Sequence, residues 1–376
     1  QNGVIRALKD RDGWSKNWHT KMKVDNFLPP EKLNKLNIKT EEIPKPKDIS
    51  LHRIDFVNIQ KGGRREGLKL LDSFLVKRGK NYSKEMSSPL TAANSCSRLS
   101  AHLSFGSLSI KEVFQATEAK KKELKELPKE LKGNWIKSLN TFLGRLRWHC
   151  HFIQKLEDEP EIEFKNMHSS YDPLRIDDFN NLFFEKWKTG NTGYPMVDAS
   201  MRSLIATGWL NFRMRAMLMS FASYHLWLPW QITSRYLATL FTDYEPGIHY
   251  SQSQMQSGTT GINSIRIYNP IKQGLDQDPD AVFIRKWLPE LKKVSKENIH
   301  MPWKDAENMN GYPHPIVDES EARTSAASRI YKLRKDKLHK LEANKVYIKH
   351  GSRKPRSKKT KSKNKLKKSD VQMSLF

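Results

Sequence analysis

The sequence predicts an all-α fold. Apolar residues recur at helical spacing from about residue 64 to residue 291, and the sustained alternation that marks half-buried strands is absent from that stretch. Leu68, Leu71, Phe74 and Leu75 form the first of these apolar stripes. Hydrophobic residues make up 37% of the 376 residues, which is enough to build a sizeable core.

Three stretches supply the longest predicted helices. The first covers residues 139–156, where apolar residues recur at spacings of three and four. The second covers residues 195–207, since Pro is tolerated in a first helical turn and Gly208 can end the helix. The third covers residues 211–227 and is apolar almost all round, which indicates a buried helix that Pro229 ends.

The two ends of the chain differ from this helical region. Residues 27–49 are rich in Pro and Lys and predict an extended linker. Residues 328–349 predict one basic helix, and residues 353–368 form a low-complexity basic run that we expect to be disordered. Because the chain opens with Gln1 rather than Met, we expect a fragment that lacks an N-terminal part.

The charge of the chain predicts an anionic partner. The formal net charge is +26, and the last 26 residues carry ten Lys or Arg against one Asp. That balance of +9 leaves +17 on the rest of the chain, so a basic tail on an ordinary domain does not explain the charge. Nucleic acid is the usual partner of such a basic protein.

Cysteine content and hydropathy limit the class of protein. Cys96 and Cys150 are the only cysteines, and no Cys or His spacing suggests zinc, so we expect no metal site. So few cysteines fit a reducing, cytoplasmic compartment. The sequence has no signal peptide and no apolar run long enough to cross a membrane.

Two motifs could bind an anion. Residues 94–100 place small hydroxyl side chains before an apolar helical stretch, which suits a phosphate, although an ordinary helix cap is the commoner explanation. Arg213 and Arg215 lie in the predicted buried helix, where a charge needs a partner or an anionic ligand. Asp243 and Glu245 are the candidate partners, and a purely structural ion pair is the alternative.

A third motif combines a cation with aromatic side chains. Arg145, Trp148, His149 and Phe152 lie at spacings of three and four on the face opposite the apolar stripe of residues 139–156. Such a face can take a phosphate and stack on a base. The alternative is a half-buried helix on which the arginine extends to solvent.

Several blocks of sequence together resemble the DNA photolyases and cryptochromes. The resemblance covers about residues 64–303, in the family's order. The blocks in the Gly-Tyr-Pro and Gly-Trp regions are long and specific. The similar blocks are Ser97-Arg98-Leu99-Ser100 with Gly106, residues 191–202 (NTGYPMVDASMR), residues 207–215 (TGWLNFRMR), residues 266–270 (RIYNP) and residues 283–291 (FIRKWLPEL).

This resemblance implies a particular domain organisation. Residues 1–62 correspond to the end of the family's α/β antenna domain and its linker. Residues 63–330 correspond to the all-helical domain that holds FAD at the bottom of a DNA-facing pocket. Residues 331–376 are then a basic C-terminal extension with a disordered tail.

The resemblance also implies roles for individual residues. The FAD phosphates would be held by Tyr82, Cys96, Ser97, Arg98, Leu99 and Ser100. Arg215 and Asp243 would pair beside the isoalloxazine, with Tyr244 and Glu245 lining it and His249 facing the flavin N5. The DNA-facing set would comprise Arg145, Trp148, His149, Phe152, Phe212, Arg213 and Gln273. Trp187 and Trp230 correspond to the outer two members of the tryptophan chain that reduces the flavin.

The sequence departs from the family pattern at three positions. Arg145 stands where the family has a lesion-contacting Glu, and Phe212 stands where it has an Asn. Ser253 stands near the position of the flavin-proximal tryptophan. Tyr250, Tyr244 or Tyr224 could replace that tryptophan, and the sequence does not choose among them.

Three functions follow as hypotheses. The first is a light-driven, FAD-dependent repair enzyme that splits pyrimidine dimers in DNA, as the basic charge favours. The second is a cryptochrome-like photoreceptor that binds FAD without repair. Arg145 in place of Glu favours either this photoreceptor or an enzyme for a different lesion. The third is a flavin-free DNA-binding scaffold.

The last five residues predict a further partner. Gln372-Met373-Ser374-Leu375-Phe376 resembles the pentapeptide that binds the bacterial sliding clamp. Leu375 and Phe376 are adjacent apolar residues on a polar tail, where no core can bury them, and Gln372 can hydrogen-bond at the edge of a pocket. A tail end that docks on the protein's own core, or on nothing, is the alternative.

Overall fold

A computed structural model describes residues 3–8, 10–49, 57 and 59–351 of the chain. These described residues form helices, 3-10 turns and loops, and contain no strand, as the all-α prediction requires. The predicted disorder of residues 353–368 and the predicted clamp-binding residues Gln372, Leu375 and Phe376 lie outside the described residues.

The helices are numbered in chain order. The first eight are α1 (Trp14–Lys23), α2 (Arg64–Val76), α3 (Tyr82–Glu85), α4 (Ala92–Ser95), α5 (Ser100–Ser104), α6 (Ile110–Glu126), α7 (Lys129–Lys132) and α8 (Trp135–Asp158). The others are α9 (Asn181–Lys188), α10 (Pro195–Thr207), α11 (Phe212–Ser220), α12 (Trp230–Leu240), α13 (Pro246–Ser257), α14 (Pro270–Gln277), α15 (Val282–Trp287), α16 (Glu319–Arg334) and α17 (Lys337–His350).

The three long predicted helices are confirmed, with one change. α8 and α10 form as expected, and α10 ends at Gly208, whose φ of +68° is the left-handed conformation that favours glycine. The third helix is α11 only as far as Ser220. It continues as a π turn from Phe221 to His225, and Trp227, two residues later, has φ +52°.

Two hydrophobic cores meet along α8 and α13. The first core gathers buried side chains of α1, α2, α6 and α8, and the second gathers those of α10 to α15. At the crossing, a Cβ on Gly247 would lie 2.6 Å from the Ile153 Cα, so only glycine permits this close approach. The approach sets the polar side chains of α8 beside residues 243–250.

The two ends of the chain pack on these cores. Trp14, Trp18 and Met22 of α1 are buried in the first core, while most of residues 24–45 are exposed. The assignment of residues 1–62 to the end of an antenna domain stays a prediction.

The prediction of one basic helix at residues 328–349 is wrong. The structure has α16 and α17 there, because the Asp336 side chain accepts a hydrogen bond from the Leu338 N–H and starts a new helix. Among the described residues, no helix is long and apolar enough to cross a membrane.

Candidate functional site

The predicted pair of Arg215 and Asp243 forms in the structure. Arg215 projects from α11, and its Nη1 and Nη2 donate hydrogen bonds of 3.0 and 2.8 Å to the two carboxylate oxygens of Asp243, in the loop between α12 and α13. The Arg215 Nε donates to the Leu210 carbonyl at 2.6 Å, and the guanidinium lies 4.0 Å from the centre of the Phe241 ring. This bidentate geometry fixes the orientation of both side chains.

Asp243 stays ionised although it is buried. Burial acts to raise the pKa of its carboxyl group, but the charge and hydrogen bonds of Arg215, with a further hydrogen bond from Ser100, hold the pKa below its usual value. Ser100 is the first residue of α5, so this bond joins the pair to the loop that carries the predicted phosphate-binding residues.

Arg78 braces that loop, a role that sequence reasoning missed. Its guanidinium donates to the backbone carbonyls of Asn94, Cys96 and Ser97, and also to the Leu70 carbonyl and the Ser73 hydroxyl. These bonds fix the conformation of the loop. No signal in the sequence indicates these bonds to the loop. Arg78 lies outside every motif, and the loop carbonyls that it binds follow 16 to 19 residues later.

Arg98 belongs to the same loop as Cys96 and Ser97. Its φ is +62°, an uncommon conformation for a residue with a side chain, and its guanidinium lies 3.8 Å from the centre of the Trp209 ring. Gln60 donates to the Arg98 carbonyl at 2.8 Å. Arg78, Arg98 and Gln60 line a cavity of about 270 Å³ beside the loop.

Four arginines surround Cys96. Burial raises the pKa of its thiol to about 12, and the charges of Arg98, Arg78, Arg145 and Arg215 all act in the opposite direction. Arg145 hydrogen-bonds the buried Tyr82 hydroxyl and lies 5.4 Å from the centre of the Phe212 ring, and its contact with DNA stays a prediction. Against these four cations stands the carboxylate of Asp243, so the pocket attracts a polyanion such as a diphosphate.

The predicted aromatic face of α8 forms around Trp148. Its ring stacks on Phe152, with 5.6 Å between ring centres and 27° between planes, and meets His151 edge-on at 5.0 Å. Trp148 is half-buried and Phe152 is buried. The two rings therefore make a rigid surface on which a further ring could stack.

His149 and Glu245 carry buried polar atoms that lack partners. Burial lowers the pKa of His149 to about 4, and its Nδ1 has no hydrogen-bond partner among the described residues. The Glu245 Oε1 accepts from the Gly247 N–H, whereas its Oε2 is buried and unpaired there. Burial also raises the pKa of Glu245. Unsatisfied buried groups on facing elements are typical of a site that takes a polar ligand.

His249 lies beside the ion pair, within a cluster of aromatic rings. Its Nε2 is 2.8 Å from the Ser234 carbonyl and therefore donates, and burial lowers its pKa to about 4, so the ring is neutral. The rings of Tyr250 and Tyr244 lie 5.3 and 5.4 Å away. Tyr250 also meets Trp230 at 6.3 Å. Of the three tyrosines considered as replacements for the missing tryptophan, Tyr250 is the one between Trp230 and His249.

Trp187, Arg213 and Gln273 occupy other places around this centre. Trp187 is fully buried, donates to the Leu218 carbonyl at 3.2 Å and contacts Tyr236. Burial raises the pKa of the Tyr268 hydroxyl, and the charge of Arg213 acts to lower it. The Arg213 Nε is buried without a hydrogen-bond partner among the described residues. Gln273 is 6% exposed, and its Oε1 is also buried without a hydrogen-bond partner among the described residues.

The Gly-Tyr-Pro block supports the site without lining it. The buried Asp198 carboxylate accepts hydrogen bonds from the Thr192 N–H, the Thr192 hydroxyl and the Gly193 N–H, and also from the Tyr312 hydroxyl. At Gly193, with φ +82°, a Cβ would lie 2.4 Å from the His314 carbonyl group. The block thus fixes the start of α10. Among the described residues, no group of three His, Cys, Asp or Glu side chains could hold a metal ion.

Comparison with known proteins identifies the domain. The family model described as the FAD binding domain of DNA photolyase matches residues 142–332. The chain is 32% identical over 270 residues to the deoxyribodipyrimidine photo-lyase of Streptomyces griseus, covering 70% of this chain and 55% of that protein. It is 34% identical over 285 residues to Cryptochrome-2 of Arabidopsis thaliana, covering 72% of this chain and 45% of that protein.

A solved structure gives the same result. A bacterial class III photolyase from Agrobacterium tumefaciens superposes with a TM-score of 0.73 and 27% sequence identity, covering 89% of this chain and 73% of that one. The chain spans about half the length of the two sequence relatives that it resembles.

Proposed function

Because this chain belongs to the photolyase and cryptochrome family, whose FAD-binding domain it contains, we propose that it is a light-driven DNA repair enzyme that splits pyrimidine dimers. The bound FAD would supply the light absorption and the one-electron chemistry of the reaction. The protein's own residues bind the cofactor, fix its surroundings and hold the damaged base.

The residues of the site fit FAD. The four arginines around Cys96 suit its diphosphate, and the brace from Arg78 to the loop of residues 94–97 keeps the loop ready for it. The unpaired Glu245 Oε2 and His149 Nδ1 offer hydrogen bonds to a polar ring system. The pair of Arg215 and Asp243 supplies a fixed dipole beside them.

The observation that carries the repair proposal is the stacked pair of Trp148 and Phe152. A repair enzyme must hold a dimer that has left the helical stack, and base stacking on an aromatic side chain stabilises such a base by about 1–3 kcal/mol. The core charge of +17 supplies the attraction to the phosphate backbone. We propose that Arg213 and Gln273 also face the DNA.

Binding of damaged DNA tests this proposal. The flavin-loaded protein is titrated in the dark with a duplex that contains one cyclobutane dimer, and with the same duplex undamaged. Tighter binding to the dimer, by tenfold or more, supports repair. Equal affinity for both duplexes rejects it and leaves a photoreceptor or a scaffold.

A cryptochrome-like photoreceptor is the second candidate, and one observation favours it. Arg145 stands where the family resemblance places a lesion-contacting Glu, and it contacts Tyr82 and Phe212. If Arg145 serves the cofactor, the protein lacks one dimer contact of the family. The same titration discriminates, because a photoreceptor needs no preference for damage.

We also propose a cytoplasmic location and a sliding clamp as partner. Cys96 and Cys150 are free thiols, as expected in a reducing compartment. The clamp proposal rests on the sequence of the last five residues alone. A basic tether that binds the clamp would raise the effective concentration of the domain near DNA.

A further inference from the structure

A second surface cavity lies away from the residues predicted to hold FAD or DNA. Its volume is about 450 Å³, within the range of about 300–1,000 Å³ in which proteins bind small organic molecules. It is lined by residues 173–175 and Asp178, by Trp227 just after the π turn, and by residues of α16 with Asp336. The lining includes the aromatic Trp227, the apolar Leu174 and Leu333, and the cationic Arg175, Arg329 and Lys332.

Trp227 lines this cavity and is fixed by its neighbours. Its indole Nε1 donates to the Asp178 carboxylate at 2.9 Å, and Arg329 donates to the same oxygen at 3.2 Å. The guanidinium carbons of Arg175 and Arg329 lie 4.5 and 4.8 Å from the centre of the ring. Trp227 is thereby held in one orientation while its side chain stays half-buried.

The backbone at this cavity is strained at two residues. Arg175 has φ +71° and Trp227 has φ +52°, and a bulky residue rarely adopts this conformation. Such a conformation is unfavourable and persists where the surroundings enforce it, often at a ligand site. Two such residues in contact with each other mark this cavity as a built feature of the fold.

Arg175 also has hydrogen-bonding capacity to spare. Only 2% of it is exposed, and its Nη2 donates to the Ser257 carbonyl at 3.0 Å. Its Nε is buried without a hydrogen-bond partner among the described residues. A buried donor that no protein group satisfies is expected to meet a ligand or water.

The charges around the cavity favour an anionic group at its mouth. Arg329 and Lys332 are three residues apart on α16, so their side chains lie next to each other. Two acids also line the cavity, but Asp178 is engaged by Trp227 and Arg329, and Asp336 caps α17. Donors of Arg329 and Lys332 are left for an incoming anion.

We propose that this cavity binds a mononucleotide. The planar base packs beside Leu174 and Leu333 and against the part of Trp227 that the two arginines leave exposed, and the phosphate meets Arg329 and Lys332. A planar ring that carries a phosphate suits a site with an aromatic wall and two cations, since each part has its own complementary surface. The site is separate from the flavin site, and the proposal does not depend on the repair function.

Calorimetric titration of the flavin-loaded protein with AMP tests the proposal. AMP should bind saturably, and adenosine alone or inorganic phosphate alone should each bind at least tenfold more weakly. Replacing both cations, Arg329→Ala with Lys332→Ala, should weaken AMP binding at least tenfold at unchanged flavin content. Lys335→Ala, which removes an exposed lysine at the end of the same helix, should change nothing.

Three results would overturn it. The first is the absence of saturable AMP binding at millimolar concentration. The second is AMP binding that the double variant leaves intact, which would place the nucleotide elsewhere. The third is adenosine binding as tightly as AMP, which would remove the phosphate from the recognition.

Discussion

The guanidinium of Arg215 and the carboxylate of Asp243 face each other in a two-point hydrogen bond, at 3.0 and 2.8 Å. Arg215 stands on a helix that is otherwise largely buried, and Asp243 is 9% exposed. Each charge therefore depends on the other, and the pair sits between the Ser100 loop and the His249 cluster.

Loss of Arg215 should release the flavin. Arg215→Ala leaves Asp243 buried and unpaired, at a cost of about 3–5 kcal/mol, and distorts the loop that Ser100 joins to it. The ratio of visible flavin absorbance to protein absorbance after purification measures the effect. Arg235→Ala, an exposed arginine on α12, is the control and should keep its flavin. Full occupancy in the Arg215 variant would show that the pair is not part of the cofactor site.

Reversing the charge of Arg98 should weaken FAD binding by about tenfold or more. The change to Glu replaces a cation by an anion in the loop that is predicted to hold the FAD phosphates, next to Cys96. Titration of the apoprotein with FAD, followed by flavin fluorescence, gives the affinity. Lys137→Glu makes the same charge change at an exposed position of α8 and should have little effect. An unchanged affinity in the Arg98 variant would show that Arg98 is not part of the cofactor site.

Truncation of Trp148 should reduce the preference for damaged DNA. Trp148→Ala removes the outer ring of the stack with Phe152, and stacking on a flipped base contributes about 1–3 kcal/mol. Affinities for a dimer-containing duplex and for its undamaged copy give the ratio. We expect a loss of about tenfold for damaged DNA alone. An equal loss for both duplexes would mean that Trp148 only supports the fold.

Acid should release the contact between α17 and α8. A hydrogen bond from His350, and another from Lys349, lower the pKa of Glu159 from its ordinary value of 4.5 to about 2, although burial opposes the shift. The folded-state value lies below the unfolded one, so this contribution to stability is present above pH 4.5 and is lost as the pH falls towards 2. Glu159→Gln should lower the melting temperature at neutral pH, and the gap to the unaltered protein should narrow below pH 4.5. A gap that stays constant with pH would exclude this carboxylate as its source.

If the last five residues bind a sliding clamp, changing them should remove clamp binding and leave flavin binding unchanged. A double variant, Leu375→Ala with Phe376→Ala, should lose binding to a purified bacterial sliding clamp at unchanged flavin content. A synthetic peptide of the last residues should compete with other ligands of the clamp. No competition at high micromolar peptide would end the proposal.

Local sequence signals predicted the helices and some of the site. Pro195 and Gly208 mark the ends of α10 because each suits its position in a helix, and Asp336 is the capping residue that could have revealed the start of α17. The π turn at Phe221–His225 was not predictable, since its composition is the same as that of a buried α-helix.

The parts of the site that the sequence did not predict depend on contacts between residues far apart in the chain. The brace from Arg78 joins residues with no shared motif, and the position of Arg145 beside Tyr82 depends on how α8 packs against α3. Because a buried charge requires a partner, the sequence predicted an acid beside Arg213 or Arg215 and offered Asp243 and Glu245, and the family resemblance then singled out Arg215 with Asp243. Chemistry of that kind constrains a site even where periodicity does not.

Light-driven repair is measured by the amount of dimer left in DNA after illumination. The flavin-loaded, chemically reduced protein is mixed with an oligonucleotide that contains one cyclobutane dimer, and half of the sample is exposed to blue light. We predict that the dimer disappears in the illuminated half and persists in the dark half. If the dimer persists under light in protein that carries flavin and binds the DNA, the claim of repair is wrong.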